Sequence, residues 1–441
     1  MNIEDVKTYN EAVSYINAIP RFSGKNEMTD TVAFLDAVHI YLKNNQYETS
    51  EYKPKIIHVA GTNGKGSTCS YLTSIHRQMG YKTGTFTSPH LVDMVERIAI
   101  DGVSISHESF FSYFQIIRTI LKEYNEARGT LYHPSFFEFI FFIAVMCFTV
   151  EAAQVQIWET GLGGRLDATN SLPDKDICII CEIGMDHMEY LGDTIASIAY
   201  EKAGIIREGV PVVAVSNNPQ SLSVITDRAN EVGAPLIVTP AIKNITYNKK
   251  NKGIDFSFES RYYNNATFYL KSGALYQVEN ATLAIAAVDE LYRGACDTAT
   301  IQRGLDAMIW PGRLEEVEDG VFYDGAHNVD GVNALIDSVS TDGCKGERLL
   351  LFSAVDDKQA DVMLQNIADS KLFSLVATAH IDSSRGIKRE KLEELISVCK
   401  SYAVYESVEE AIDALKRIRK KQDYIYVCGS LYMIGELKSR G

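Results

Sequence analysis

One glycine-rich segment combines the residue types that bind phosphate chains. It reads Gly61-Thr62-Asn63-Gly64-Lys65-Gly66-Ser67-Thr68 and lies between a β-branched run and a helical pattern. Glycines let the backbone wrap around phosphates with its N–H groups turned inward, and a helix start adds favourable partial charge. A lysine can reach the outer phosphates, and a hydroxyl can help to hold Mg²⁺. The segment therefore predicts a nucleotide-phosphate site.

The spacing of this segment differs from the standard phosphate loop, because Gly66 separates Lys65 from Ser67. The alternative interpretation is a glycine-rich turn between a strand and a helix, with an incidental lysine. Kinases, GTPases and ligases share such a loop. The loop by itself therefore predicts a nucleotide and leaves the reaction open.

The elements around the loop predict an α/β fold with a largely parallel sheet, because short β-branched runs alternate with amphipathic helical patterns. Tyr71, Leu72, Ile75 and Met79 recur at helical spacing after the loop, and Gly80 can end that helix. Residues 244–270 alternate aromatic and polar side chains, which predicts a small antiparallel excursion. The strands predicted for the first part of the chain are 55–60, 155–159, 176–183 and 210–215.

A second set of strand and helix patterns begins near residue 310. It predicts a smaller C-terminal Rossmann-like α/β domain over 310–441, after an N-terminal P-loop ATPase-type domain over 1–309 with a mainly parallel sheet. The predicted strands of the second domain are 321–323, 348–352, 372–378 and 423–427, and the predicted helices include 391–400 and 408–420.

Composition argues against several classes of protein. The net charge is −15 and no basic run stands out, so nucleic-acid binding is not expected. Residues 139–148 are continuously apolar, which is too short for a membrane span and predicts a helix buried on all sides. Eight scattered cysteines suggest reduced thiols and a cytoplasmic protein, with Cys178 and Cys181 in the core.

Further motifs follow the loop, and together they resemble the folylpolyglutamate synthase and dihydrofolate synthase family of the Mur ligase superfamily. The glycine between Lys65 and Ser67 is itself typical of the folate branch. The motifs cover nearly the whole chain in the family's order: Ser88-Pro89-His90-Leu91, Ser135-Phe136-Phe137-Glu138-Phe139, Trp158 to Asn170, Asp186 to Gly192, Glu201 to Ile205, Pro311-Gly312-Arg313, Asp324 to Asn328 and Cys428-Gly429-Ser430.

The resemblance implies ATP-driven amide ligation. Transfer of the γ-phosphoryl group to a carboxylate makes an acyl phosphate, which the amine of L-glutamate attacks with release of phosphate. Both steps build negative charge on oxygens, so the site needs fixed cations. The implied substrates are a folate or dihydropteroate and glutamate, the implied cofactors are ATP and Mg²⁺, and the family expectation is a monomer.

The resemblance also implies roles for single residues in the chemical and nucleotide sites. The implied catalytic residues are Lys65, Lys202, His187 and His327. In this family the residue matching Lys202 is often carbamylated by CO₂, whereas the alternative is an ordinary lysine paired with a carboxylate. The implied ATP-binding residues are Gly61, Thr62, Asn63, Gly64, Lys65, Gly66, Ser67, Thr68, Asn280, Arg313 and Asp324. The implied metal-site residues are Ser67, Ser88, Glu159 and His187.

The substrate-contacting residues follow from the same resemblance. Phe136 and Phe137 open the most apolar helix of the chain, so core packing is the alternative explanation for them. The residues implied for the acid substrate are Ser135, Phe136, Phe137, Glu138, Leu166, Asp167 and Ala168, and those implied for glutamate are His327, Ser430 and Tyr432.

Two rival functions share part of this pattern. A cell-wall Mur ligase shares the fold and the chemistry but uses a UDP-muramyl acid. The Lys65-Gly66-Ser67 spacing, the Ser88 loop and the Phe-Phe-Glu segment argue against it. A P-loop NTPase without ligase activity would need the phosphate loop and no acid substrate.

Overall fold

The computed structural model describes residues 2–20, 27–215, 217–248, 252–263, 265–356, 359–381 and 386–439. Contacts within the chain divide it into two compact units. The first unit comprises Met1–Ile183, Met188–Thr239 and Leu283–Ala307, and the second comprises Gly184–His187, Pro240–Thr282 and Met308–Gly441.

The first unit contains an eight-stranded sheet in the order β4-β3-β2-β5-β1-β6-β7-β8. Strands β2, β5, β1, β6, β7 and β8 pair in parallel, and β3 and β4 extend one edge with antiparallel pairing. The strands are β1 (Lys55–Ala60), β2 (Thr83–Phe86), β3 (Ile98–Ile100), β4 (Val103–Ser104), β5 (Val155–Glu159), β6 (Ile177–Ile180), β7 (Val212–Ala214) and β8 (Leu236–Val238).

Helices accompany this sheet in the alternating pattern that parallel strands require. They are α1 (Tyr9–Asn17), α2 (Met28–Asn44), α3 (Lys65–Gln78), α4 (His107–Arg128), α5 (Phe136–Val150), α6 (Met188–Leu191), α7 (Ile195–Ala203) and α8 (Pro219–Val232), with one-turn 3₁₀ helices at Ile3–Asp5, Met94–Arg97 and Ala168–Ser171.

Helix α5 lies at the centre of an aromatic core. Its residues 139–148 are all buried, as the sequence predicted. Trp158 of β5 packs against Phe86, Phe141 and Phe148, with ring centroids 4.8–5.6 Å apart. Tilted and edge-on aromatic pairs of this kind stabilise beyond the area they bury. Strands β2 and β5 are thereby held against α5.

The second unit contains two further sheets. One is antiparallel, in the order β11-β10-β9, which confirms the predicted excursion. The other has the order β12-β13-β17-β14-β15-β16 and is parallel except at β12. The strands are β9 (Ile242–Asn248), β10 (Gly253–Phe258), β11 (Ala266–Leu270), β12 (Glu315–Glu318), β13 (Val321–Tyr323), β14 (Arg348–Phe352), β15 (Leu375–Ala379), β16 (Tyr402–Tyr405) and β17 (Tyr424–Cys428).

The remaining helices follow β11 in the chain. They are α9 (Tyr276–Tyr292), α10 (Thr298–Ala307), α11 (Val329–Ser340), α12 (Ala360–Ser370), α13 (Arg389–Ile396), α14 (Val408–Ile418) and α15 (Leu431–Lys438). Helix α10 packs on α3, and the hydroxyl of Ser74 donates to the carbonyl of Gly304 at 2.7 Å. A side chain at Gly304 would collide with Ile75, so the two helices approach closely.

The predicted α/β class is confirmed, with a parallel-dominated sheet in each half of the chain. Four predicted strands coincide with β1, β5, β13 and β14, whereas β6 and β7 are shorter than predicted because their flanking apolar residues lie in buried loops. The boundary near residue 310 stays a prediction; by contacts, residues 240–282 group with the C-terminal segment. Across the described ranges, no helix has the length and hydropathy of a membrane span.

Candidate active site

The glycine-rich segment forms a tight connection between β1 and α3. Gly64 has a φ of +83°, a left-handed conformation that favours glycine, and it precedes the first residue of α3. A side chain at Gly61 would fall 2.6 Å from Cβ of Cys181. The N–H groups of Thr62 and Asn63 donate to the carbonyl of Glu182 at 2.7 and 3.3 Å. The start of the loop is therefore held by the segment after β6.

The N-terminus of α3 faces the same loop. The first intrahelical bond runs from the Thr68 N–H to the Gly64 carbonyl at 2.9 Å. The N–H groups of Lys65, Gly66 and Ser67 thus belong to the first turn, where helices leave their donors to other partners. Together with the helix dipole, such donors suit an anion.

Three predicted site residues, from the start of α3, the end of β5 and the segment after β2, lie together here. Nζ of Lys65 is 3.9 Å from Oε1 of Glu159, and it donates to the Thr62 carbonyl at 3.1 Å. The Glu159 carboxylate is buried at the end of β5, and its Oε2 accepts from the Ser88 N–H at 3.2 Å. The site lies where β1, β2 and β5 end, the edge at which parallel α/β sheets bind ligands.

Lys202 reaches this loop from the last turn of α7. Its side chain is buried, and Nζ donates to the Gly61 carbonyl at 2.6 Å. A buried nitrogen needs such a partner, because an unpaired polar group inside a protein is costly. The contact places Lys202 at the beginning of the phosphate loop, and its catalytic role stays a prediction.

The segment predicted to contact the acid substrate begins α5. Ser135 and Glu138 form a capping box, in which Oε2 of Glu138 accepts from the Ser135 N–H at 2.7 Å. Oε1 of Glu138 accepts from the Thr31 hydroxyl. The Phe136 ring lies 5.4 Å from the Arg97 guanidinium, and Phe137 fills the space beside Gly161. These contacts account for the four residues structurally, and substrate contact stays a prediction.

Asp167 organises the loop that follows β5. Its buried carboxylate accepts from the N–H groups of Gly161, Leu162 and Thr169 at 2.8–3.0 Å. Burial raises the pKa of Asp167, and these donors oppose that effect. The neighbouring Leu166 is 66% exposed and Ala168 is buried. Of the residues predicted here for the acid substrate, Leu166 has the side chain open to solvent.

Several predicted residues lie in the second unit around Asp324. Its buried carboxylate accepts from the Tyr276 hydroxyl and from the Leu314 and Ala326 N–H groups, both at 2.8 Å. Burial raises the pKa of Asp324, and the Arg313 cation acts against this shift. Asn280 is buried in α9 and donates to Gln277 at 3.1 Å.

Two predicted histidines lie near one carboxylate in the same unit. Nε2 of His327 is 3.8 Å from Oδ2 of Asp186, and Nε2 of His187 is 4.0 Å from the same oxygen. Nδ1 of His327 donates to the Gly325 carbonyl at 2.8 Å. His187 has a φ of +51°, which is uncommon outside glycine. Near β17, Ser430 caps α15 and Tyr432 is 41% exposed.

Glu182 and Asp186 contact predicted site residues, and Asn170 joins two segments beside them, but the three were not predicted as site residues. Glu182 acts through its main chain, which no side-chain pattern indicates. Asp186 and Asn170 belong to quoted motifs, and their contacts reach residues 142 and 37 positions away. Within the described ranges, no three His, Cys, Asp or Glu side chains are grouped to hold a metal ion.

Comparison with known proteins identifies the family. A family model for the Mur ligase glutamate ligase domain matches residues 312–431. The chain is 32% identical over 403 residues to the dihydrofolate synthase/folylpolyglutamate synthase of Bacillus subtilis, covering 88% of this chain and 91% of the relative. The chain belongs to the dihydrofolate synthase/folylpolyglutamate synthase family. The Escherichia coli protein of the same description is 32% identical over 389 residues, covering 87% and 86% of the two chains.

Solved structures of this family share the fold along the whole chain. Escherichia coli FolC in complex with DHPP and ADP has a TM-score of 0.83 and 27% identity, covering 99% of this chain and 98% of that one. Mycobacterium tuberculosis folylpolyglutamate synthase complexed with ADP has a TM-score of 0.87 and 25% identity, covering 98% of each chain. As a member of the dihydrofolate synthase/folylpolyglutamate synthase family, the protein is an ATP-dependent ligase.

Proposed function

We propose that this protein joins L-glutamate to the carboxylate of dihydropteroate or of a folate, using ATP and Mg²⁺. The observation that carries the proposal is the meeting of Lys65, Glu159 and Ser88 at the carboxyl edge of the first sheet. The Bacillus subtilis relative is named for both reactions, which supports both acids as substrates.

Lys65 and α3 supply the positive potential that phosphoryl transfer needs. The lysine stands at the first position of α3, so its ammonium and the N-terminal N–H groups act on the same phosphates. The positive charge lowers the energy of a transition state whose charge lies on phosphoryl oxygens. Nζ of Lys202 donates to the Gly61 carbonyl. We also propose that CO₂ carbamylates Lys202.

A buried carboxylate beside a phosphate loop fits Mg²⁺, which takes hard oxygen ligands and often needs only one or two from the protein. Glu159, with Ser67, Ser88 and His187, would hold the ion. When bound, Mg²⁺ neutralises charge on phosphate oxygens. Glu159 is anchored for this by the Ser88 N–H.

The remaining predicted residues complete the proposal. Asn280, Arg313 and Asp324 would contact the nucleotide, and His327, Ser430 and Tyr432 would hold glutamate. The acid would contact the segments that contain Ser135, Phe136, Phe137 and Glu138, and Leu166, Asp167 and Ala168. We also propose a domain boundary near residue 310, a monomer and a cytoplasmic location.

A single assay tests the proposed reaction. Purified protein receives ATP, Mg²⁺ and labelled glutamate, with dihydropteroate, tetrahydrofolate or no acid in separate tubes. We expect labelled product and phosphate release only where an acid is present. Product in neither acid tube would refute the proposal. ATP hydrolysis that is indifferent to acid and glutamate would favour an NTPase, and product with a UDP-muramyl acid would favour a cell-wall ligase.

Replacing Glu159 by glutamine should raise the Mg²⁺ concentration for half-maximal activity by about 10-fold or more, because a neutral amide is a weaker ligand for a hard cation. Mg²⁺ titration of ligase activity measures this. Glu151→Gln is the matched control, since Glu151 pairs with Lys82 at an exposed position. An unchanged Mg²⁺ requirement in Glu159→Gln would remove Glu159 from the metal site.

A further inference from the structure

The amide of Asn170 joins four partners in the first unit. Its Nδ2 donates to the carbonyls of Arg165 and Gly204 at 3.0 and 3.2 Å. Its Oδ1 accepts from Nζ of Lys175 at 2.5 Å and from the Arg207 guanidinium at 2.7 Å. A side-chain amide offers two donors and two acceptor sites, so that capacity is fully used. Asn170 is itself 8% exposed.

These partners tie the loop after β5 to the end of α7. Arg207 also donates to the Asn170 and Gly204 carbonyls, at 3.2 and 2.9 Å. Arg165 binds the Glu201 carboxylate through Nε and Nη2, and its N–H donates to the Glu201 carbonyl at 2.8 Å. Both side chains and main chain therefore connect the two segments.

The two segments touch without room for extra atoms. A Cβ at Gly164 would lie 2.8 Å from the Lys202 carbonyl oxygen, and a Cβ at Gly204 would lie 2.4 Å from Cβ of Arg165. The end of α7 is therefore packed closely against the loop, which limits how far the two segments can shift. That end carries Lys202, whose Nζ donates to Gly61 at the start of the phosphate loop.

We propose that Asn170, together with Arg207, is the positioning element that sets Lys202 against the phosphate loop. This inference rests on the proposed function only for its effect on turnover. The Asn170 amide fixes the end of α7 through the Gly204 carbonyl. Lys202 lies in the last turn of that helix, and its Nζ donates to the Gly61 carbonyl. A misplacement of about 1 Å at such a site can cost about 100-fold in rate.

A double-mutant cycle on nucleotide binding tests the chain of contacts. The dissociation constant of Mg·ADP is measured by calorimetry for the wild type, Asn170→Ala, Lys202→Met and the double variant. We expect Asn170→Ala to weaken binding about 10-fold when Lys202 is present and less than about twofold when it is replaced. Equal factors in both backgrounds would show that Asn170 does not act through Lys202 and would overturn the inference.

Arg207→Met provides a second route to the same result, and thermal denaturation verifies that each variant is folded. It should reproduce the dependence on Lys202, because Arg207 connects Asn170 to the same turn. Arg228→Met is the control, since Arg228 pairs with Glu231 on α8. ADP binding does not require ligation, so an inactive wild type would refute the proposed function while the cycle still decides this inference.

Discussion

Replacing Lys65 by alanine is expected to reduce ATP-dependent glutamate ligation by at least about 10²- to 10³-fold. Lys65 is the first residue of α3, and its ammonium lies 3.9 Å from Oε1 of Glu159. Removal of one preorganised group that stabilises developing negative charge costs about this much in other enzymes. Steady-state turnover at saturating ATP and acid measures the loss.

The control for this variant is Lys82→Ala, which removes a lysine paired with Glu151 in the same unit. It should retain nearly full activity, because exposed ion pairs contribute little. Thermal denaturation of both variants separates a lost charge from lost folding. Full activity in a folded Lys65→Ala protein would show that the phosphate loop is misassigned.

Replacing Lys175 by methionine is expected to stabilise the protein near neutral pH by about 2–4 kcal/mol. Lys175 is 6% exposed, and burial lowers the pKa of its amine to about 7, with a further lowering by the Arg207 cation. Within the part of the chain that the structure describes, no carboxylate forms an ion pair with it. Apolar replacements of buried charges often stabilise by a few kcal/mol.

The pH dependence has a definite sign. The lysine binds its proton up to about pH 10.4 when unfolded but only up to about 7 when folded. Between these values the unfolded chain binds more protons, so this group makes stability rise with pH. The loss in the free energy of unfolding caused by this amine is largest below pH 7 and disappears above about pH 10. The nearby Cys178 and Asp167 raise the pKa of Lys175 and limit this cost, whereas Arg207 increases it.

Urea unfolding at pH 6.5 and pH 9.5 measures the effect, with fluorescence of the buried Trp158 as one probe. The gain from Lys175→Met should be largest at pH 6.5 and close to zero at pH 9.5. At high pH the lost hydrogen bond to Asn170, worth about 1 kcal/mol, remains as a cost. Lys82→Met serves as the control and should change stability by less than about 0.5 kcal/mol. A gain that is equal at both pH values would contradict the assigned cause.

Local patterns were sufficient for much of the fold. The β-branched runs predicted β1 and β5 at their observed bounds, because a strand buried on both faces needs continuous apolar residues. The apolar run at 139–148 predicted a fully buried helix for the same reason. Strands β2 and β8 were missed, since Thr83–Phe86 and Leu236–Val238 are short and obtain their pairing from neighbouring strands.

The sequence by itself determined the family and predicted which residues form the site. Lys65 was predicted from the loop itself, because a phosphate loop needs its glycines and its lysine in one short segment. The site roles of Glu159 and Lys202 came from the family resemblance and stay predictions. Only the tertiary structure decided what those residues contact. Glu159 meets Ser88, and Lys202 meets Gly61, across 71 and 141 positions of the chain. Such contacts depend on strand order and helix packing, which no local spacing encodes.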